Sequence, residues 1–370
     1  MWFSLVVAGY SVRSVSPFPL LLSTLLSRRL QSVVQSSRSM SNSSTQPSST
    51  LRDSPMQSWK VWEDGKSTAI IAQCILPLDQ ITHKGSAGRI GVLGGSAVYT
   101  GAPYYAAMAT LRTGADLATI LCAAQAAVPI KSYSPELMVL PVYDTDAIAV
   151  CQTEQETEKT IESIVQTVIP QLTRMHCLVV GPGLGRDPVV LQAMGRILAH
   201  ARSLELPIVL DADALFGLPL YTKHLGGYAK LVLTPNAMEY KRMLVETEKT
   251  EPTIDKAWDQ ATILQKGAVD RILVQSEVAA ECHEAGSVKR PGGIGDVLAG
   301  VTATLVAWDE MLRGPTKTDV APRRLACCCW TACCLVKRSA CVAFAKHHRA
   351  MSATHILDEL GPVFRDMLDE

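Results

Sequence analysis

The segment Leu178–Asp213, LVVGPGLGRDPVVLQAMGRILAHARSLELPIVLDAD, decides the fold. It begins with an apolar run, Leu178–Gly181, that opens into the glycine-rich turn GPGLGR. Amphipathic helical periodicity follows over Pro188–Leu204, and Ile208–Leu210 is again wholly apolar, stopping at Asp211-Ala212-Asp213. Two continuously apolar strands on either side of a helix read as a βαβ unit, whose strands are parallel and covered on both faces. The alternation repeats outward from this unit. Arg89–Gly94 (RIGVLG) reads as a strand with a Gly/Ser turn, then a helix opens near Pro103 and runs to about Thr113; proline is well suited to a first helical turn. Asp116–Cys122 and Leu231–Thr234 read as further strands, and a helix begins near Ala237. The expectation is an α/β domain with a doubly wound, mostly parallel sheet and helices on both faces.

Composition excludes several classes of function. The 370 residues are 48% hydrophobic and 19% charged with zero net charge, so no basic excess draws nucleic acid. No charge-free stretch reads as long and apolar enough to span a membrane. Of eleven cysteines, six lie in one segment (Cys327, Cys328, Cys329, Cys333, Cys334 and Cys341) among Ala, Leu and Val. Their spacing is not that of paired metal ligands, so they read as small apolar residues of a buried helix in a reducing compartment.

Residues 1–58 read as a targeting segment and a disordered linker, and 59–370 as the catalytic domain. Residues 1–50 hold Arg13, Arg28, Arg29 and Arg38, many serines and no acidic residue. That is the composition of a mitochondrial transit peptide. A start at Met40 would give a cytosolic form, and the Leu20–Leu26 run offers a secretory reading, although no basic region precedes it.

In open parallel sheets ligands bind beyond the carboxyl ends of the strands. There this sequence places Gly94-Gly95-Ser96, Gly181–Gly185, Asp211-Ala212-Asp213 and Pro235-Asn236. The sharpest segment is Lys289–Trp308, KRPGGIGDVLAGVTATLVAW, in which three glycines lead into Asp296 and a smooth apolar helix. Glycines let backbone amides approach a phosphate at a helix start. An aspartate at that mouth can take a proton from a hydroxyl; the competing reading makes Asp296 a plain helix cap. No Lys-Ser/Thr follows the glycines, so this is not a Walker loop.

The chain resembles the NAD(P)H-hydrate dehydratases, of the ATP-dependent eukaryotic type. The resemblance rests on His83-Lys84-Gly85, Gly88–Gly91, Tyr99–Pro103, Gly114–Leu117, Tyr133–Leu137, the GPGLGR loop, the DAD, Leu233–Asn236 with Glu239, and Gly292–Asp296, all in the family's order. It runs from about Ile75 to the C-terminus. It implies a ribokinase-like fold and ATP-driven dehydration of the S-epimer of hydrated NADH or NADPH, a metabolite-repair lyase. It implies Asp296 as general base and Ala102, Gly183 and Asn236 through Arg242 (Ala237, Met238, Glu239, Tyr240, Lys241) as contacts of the hydrated dinucleotide. The ATP-binding stretches it implies are Lys266, Gly267, Ala268, Val269 and Asp270, and Gly286, Ser287, Val288, Lys289, Arg290, Pro291, Gly292, Gly293, Ile294 and Gly295. Mg²⁺ with the nucleotide and a separate epimerase in the same pathway also follow from the resemblance; metal ligands are not assigned, and a homo-oligomer is an open option that the sequence does not settle. Glu239 also suits a helix first turn, and Lys266 a solvated strand end. Pro291 removes one amide from the glycine turn, and the short stretch Met243–Gln260 implies a truncated covering helix. The alternative is a ribokinase-like kinase of a vitamin precursor or sugar alcohol, which would share the glycine–Asp signature only.

Residues 1–50 fused to a fluorescent reporter are expected in mitochondria, and a fusion starting at Met40 diffuse in the cytosol, as live-cell imaging would show. Entry of the longer fusion into the secretory pathway would instead make Leu20–Leu26 a signal-peptide core.

Overall fold

In the computed structural model the described residues are 71–247, 250–313 and 321–368. The segment 1–58 and Met40 lie outside them. The first half of the chain runs β1 (Arg89–Leu93), α1 (Gly101–Thr113), β2 (Leu117–Ala123), α2 (Ala124–Tyr133), β3 (Met138–Tyr143), α3 (Thr145–Ala149), α4 (Glu154–Leu172), β4 (Cys177–Val180) and α5 (Pro188–Ser203). It continues with β5 (Ile208–Leu210), α6 (Asp213–Phe216), α7 (Leu218–Leu225), β6 (Leu231–Leu233), α8 (Ala237–Met243), β7 (Leu244–Thr247), β8 (Thr250–Ile254), β9 (Thr262–Gln265), β10 (Asp270–Val274) and β11 (Glu277–Cys282). Three helices close it: α9 (Ile294–Arg313), α10 (Ala321–His347) and α11 (Ala353–Leu368).

Nine strands form one sheet in the order β11-β10-β9-β6-β5-β4-β1-β2-β3. Pairings from β3 across to β9 are parallel, and β9-β10-β11 are antiparallel. The chain winds outward from β1 to β3, returns to β4 on the other side of β1, and winds the opposite way. Right-handed crossovers in opposite directions put helices on opposite faces. Accordingly α1, α9, α10 and α11 form one packed set and α4, α5 and α7 another. The expected doubly wound sheet is present.

Local chemistry sets the helix starts. Thr153 and Glu156 form a reciprocal capping box at α4. Asp187 caps α5, and Pro188 occupies its first turn. Helix α1 opens at Gly101, two residues before the expected Pro103. The central helix α9 buries every residue from Val297 to Asp309, because it is covered by α1 and α10 and lies against the sheet.

One expectation changes, the burial of all six clustered cysteines. Helix residues 323–350 are long and apolar enough to cross a membrane by length and composition, but 78% of the apolar window is buried inside the protein. Its cysteines are buried as expected except Cys327, which is half-buried, and Cys341, which is exposed. Between Met243 and Gln260 the covering helix is indeed short: α8 has seven residues, and the antiparallel β7-β8 ribbon follows it.

Helices α1 and α9 touch backbone to backbone. A Cβ on Gly300 would stand 2.1 Å from the Ala106 carbonyl oxygen and 2.9 Å from the Ala109 Cβ. Gly300→Ala should therefore push the helices apart and lower stability by about 1–3 kcal/mol in urea unfolding. An unchanged midpoint would mean the contact is looser than this.

Candidate active site

The sheet reverses direction between β1 and β4, and the turns that leave these two strands meet. A Cβ on Gly94 would lie 2.1 Å from the Pro182 carbonyl oxygen, which also accepts the Gly95 N–H at 3.0 Å. Gly183 has φ +62°, and a Cβ there would meet Tyr99 at 2.9 Å and Pro103 at 3.3 Å. The crevice at such a reversal is where open α/β sheets bind ligands. Its floor extends along the next strands. Asp211, Thr234 and Lys266 each follow immediately on the last residue of neighbouring strands β5, β6 and β9.

These three side chains are linked. The Lys266 ammonium lies 2.6 Å from Asp211 Oδ1, and the Thr234 hydroxyl donates to the same oxygen at 2.9 Å. Asp211 is 1% exposed, so the ammonium and the hydroxyl are the partners that offset its burial. Burial tends to discharge Lys266, but the charge and hydrogen bond of Asp211, with Glu239 and Asp296 nearby, outweigh it and hold the lysine above its usual range. The ammonium also approaches the glycine turn: a Cβ on Gly295 would be 3.5 Å from it.

Asp296 lies in the first turn of α9, two residues inside its start at Ile294, so the cap position belongs to Gly293. Burial, reinforced by the charge of Asp211, pushes its carboxyl up to about 7, while Lys266 pulls the other way. A carboxylate that exchanges its proton near neutral pH is suited to acid–base work.

The glycines of this turn divide by role. Gly293 has φ +98°, and a Cβ there would collide with Tyr105 at 2.7 Å and Ala353 at 2.9 Å, so packing demands it. A Cβ on Gly292 would meet nothing within 4 Å. Its surroundings leave an open cradle that a phosphate can fill.

The remaining expected residues fall into four groups. Ala102 sits in the first turn of α1, next in sequence to the Pro103 that borders Gly183. Asn236 and Glu239 form a reciprocal capping box on α8, with Asn236 Oδ1 accepting from Met238 and Glu239 N–H and Glu239 Oε2 accepting from Asn236 N–H. Met238, Lys241 and Arg242 are exposed, as is Ala237, and Tyr240 is half-buried. In the first nucleotide stretch Asp270 turns inward: its carboxylate accepts from Gly267 N–H at 2.8 Å and pairs with Lys337 at 3.2 Å. It braces the loop from beneath, while Gly267 and Ala268 are exposed and Val269 half-buried. Lys337 also donates to the Ala268 carbonyl at 2.7 Å. Along 286–291, Val288 is 86% exposed, Gly286 and Arg290 are exposed, Ser287 donates to the Lys289 carbonyl, Lys289 donates to the Arg349 carbonyl, and Pro291 is half-buried.

Several contributors carried no assigned role in the sequence. Asp211 and Thr234 hold Lys266. Asp213 accepts from Gly185 N–H at 3.0 Å and pairs with Arg186 at 3.0 Å, fixing the GPGLGR loop. Tyr143 donates to the Gly95 carbonyl at 2.9 Å from beneath. The signal available in the sequence was a carboxylate placed directly after a wholly apolar strand, where only a functional partner offsets its burial.

A model of the NAD(P)H-hydrate dehydratase family matches residues 90–362. The chain belongs to this family. An ATP-dependent (S)-NAD(P)H-hydrate dehydratase of Batrachochytrium dendrobatidis is 38% identical over 315 residues, covering 81% of this chain and 98% of the relative. The relative of that name in Homo sapiens is 36% identical over 310 residues, covering 81% and 84%. Among solved structures, a ribokinase-like superfamily protein from Enterococcus faecalis superposes with a TM-score of 0.59 at 20% identity, covering 86% of this chain and 99% of that one. The ADP/ATP-dependent NAD(P)H-hydrate dehydratase from Bacillus subtilis, co-crystallised with ATP/Mg²⁺, gives 0.55 at 20% identity, covering 84% and 99%. These likenesses show the ribokinase-like fold for this dehydratase family member.

Raising the Asp296 carboxyl from 3.8 to about 7 has a consequence for stability. The folded state holds this proton more tightly than the unfolded chain, so ionising Asp296 lowers stability as pH rises through that window. Below both values the effect vanishes. Asp296→Asn should therefore raise the Tm relative to the native chain by more at pH 8.5 than at pH 5, the difference growing up to about pH 7 and levelling off above it. An equal difference at both pH values would mean Asp296 is not strained by its surroundings.

Proposed function

We propose that this chain is an ATP-dependent (S)-NAD(P)H-hydrate dehydratase, returning hydrated NADH or NADPH to the reduced cofactor. The observation that carries the reading is the juxtaposition of Asp296, a carboxylate held near neutral pKa, with an open glycine turn and the Lys266 ammonium. Relatives bearing this name match four fifths of the chain. The glycine turn at the start of α9 suits the nucleotide phosphates, its amides and helix end favouring negative charge. Lys266 supplies positive charge where the transferred phosphoryl group passes. Asp296 takes the proton of the ring hydroxyl as that oxygen bonds to the terminal phosphorus of ATP, releasing ADP. The phosphate then leaves the ring carbon, and loss of a neighbouring ring proton restores the double bond. The hydrated dinucleotide lies across the crevice lined by Ala102 and Gly183 and reaches towards α8.

Among the described residues no group of three or more His, Cys, Asp or Glu side chains forms a metal cage. Mg²⁺ belongs to this reading as a companion of the ATP phosphates, whose charge it would screen. A separate epimerase supplies the S form, and a homo-oligomer and a mitochondrial location with a cytosolic form from Met40 complete the proposal.

The general base must be ionised, so turnover should rise with pH through about 7. Asp296→Asn should lower turnover by about 10²–10⁴-fold. Nucleotide binding, read by calorimetry, should stay within a few-fold of the native chain, as a rough expectation for a group acting only on the proton. A variant that keeps more than about half the native rate would remove Asp296 from the mechanism.

A further inference from the structure

We propose that Asp211 is a positioning residue of this reaction, holding the Lys266 ammonium against the Gly295 turn that carries Asp296. The inference rests on the dehydratase reading with Asp296 as base. Asp211, Thr234 and Lys266 form one row across three adjacent strand ends, and this row, rather than any loop, fixes the lysine. The Asp211 N–H donates to the Val180 carbonyl, the Thr234 N–H to the Leu210 carbonyl and the Lys266 N–H to the Pro235 carbonyl, so all three backbones are tied at 2.8–3.0 Å. Thr234 Oγ1 then fixes the carboxylate at 2.9 Å, and the carboxylate fixes the ammonium at 2.6 Å.

The backbone around Asp211 is built at a cost. Ala212 has φ +48° and ψ −117°, a conformation that L-residues avoid. A Cβ on Gly181 would stand 1.8 Å from the Asp211 carbonyl oxygen, so the neighbouring strand end must be glycine. Strain of this kind persists where a side chain has to be held at one place. A lysine there as a solvated strand end would need neither the buried carboxylate nor the strained turn.

The charges that face Asp296 come from three places: Asp211 at the end of β5, Asp213 in α6 and Lys266 at the end of β9. Glu239 in α8 faces Lys266. Asp211 and Lys266 act on Asp296 with opposite signs. Removing either charge alone should move the ionisation of Asp296, and in opposite directions.

The test is the acid limb of the kcat/KM profile for the hydrate, together with a ¹³C-carboxyl NMR titration of Asp296 without substrate, assigned by loss of its signal in D296N. Asp211→Asn should shift both to lower pH by about one unit. Lys266→Met should shift both to higher pH, and Lys266→Arg should restore the native limb. Unmoved titrations in a folded D211N, or shifts of the same sign in D211N and K266M, would overturn the inference. Should D211N not fold, the K266M titration decides: an upward shift supports the arrangement and an unmoved one ends it. If the native chain does not act on the hydrate at all, the functional reading fails, and the NMR titration still judges the Asp211–Lys266–Asp296 arrangement.

Discussion

The carbonyl oxygen of Pro182 occupies nearly the place where a Cβ on Gly94 would stand, and the carbonyl oxygen of Asp211 does the same to Gly181. These two approaches, at 2.1 and 1.8 Å, let the turns after β1, β4 and β5 close upon one another. Side chains at either position would force the strand ends apart and open the crevice at the sheet's reversal. Everything at the site follows from that closeness. The GPGLGR loop can then rest on Tyr99 and Pro103, Asp213 can reach Gly185 and Arg186, and Asp211 can point along the sheet to Lys266.

A second consequence is electrostatic. Packing Asp211, Asp213 and Asp296 around one ammonium pairs Lys266 with Asp211 and raises Asp296. Burial alone would raise any carboxylate. Here the more deeply buried Asp211 has a cation at 2.6 Å and a hydroxyl at 2.9 Å, whereas Asp296 stands in the first turn of α9, directly after the glycine turn. The two carboxylates stand in different settings, one tied to a cation and a hydroxyl and one able to exchange a proton near neutral pH, and so suit different tasks.

Much of this was legible in the sequence because it depends on periodicity and local chemistry. The apolar runs around Leu178 and Ile208 gave strands that agree with β4 and β5 to within a residue, and Asp187-Pro188 marks the start of α5 as its cap and first turn. The antiparallel edge was not legible. The β10-β11 hairpin turns at Gln275 and Ser276, both at positive φ, positions where Asn-Gly is the usual signal. The β7-β8 ribbon is equally unsignalled, since Met243–Gln260 reads only as a shortened crossover. At the site, the glycines and Asp296 stood out through their pattern, but the tie between Asp211 and Lys266, 55 residues apart, exists only once β5, β6 and β9 lie side by side. Asp270 shows the converse. Its place beside Lys266-Gly267 suggested a ligand contact, and the fold turns it inward to brace Gly267 and Lys337.

The most direct measurement follows absorbance of the reduced nicotinamide ring when the purified chain meets the S-hydrate of NADH with and without ATP. This account requires ATP-dependent recovery of the NADH spectrum in step with release of ADP and phosphate. A stable phosphorylated product that accumulates without recovery of the ring, or phosphorylation of a sugar alcohol or vitamin precursor in place of action on the hydrate, would contradict it.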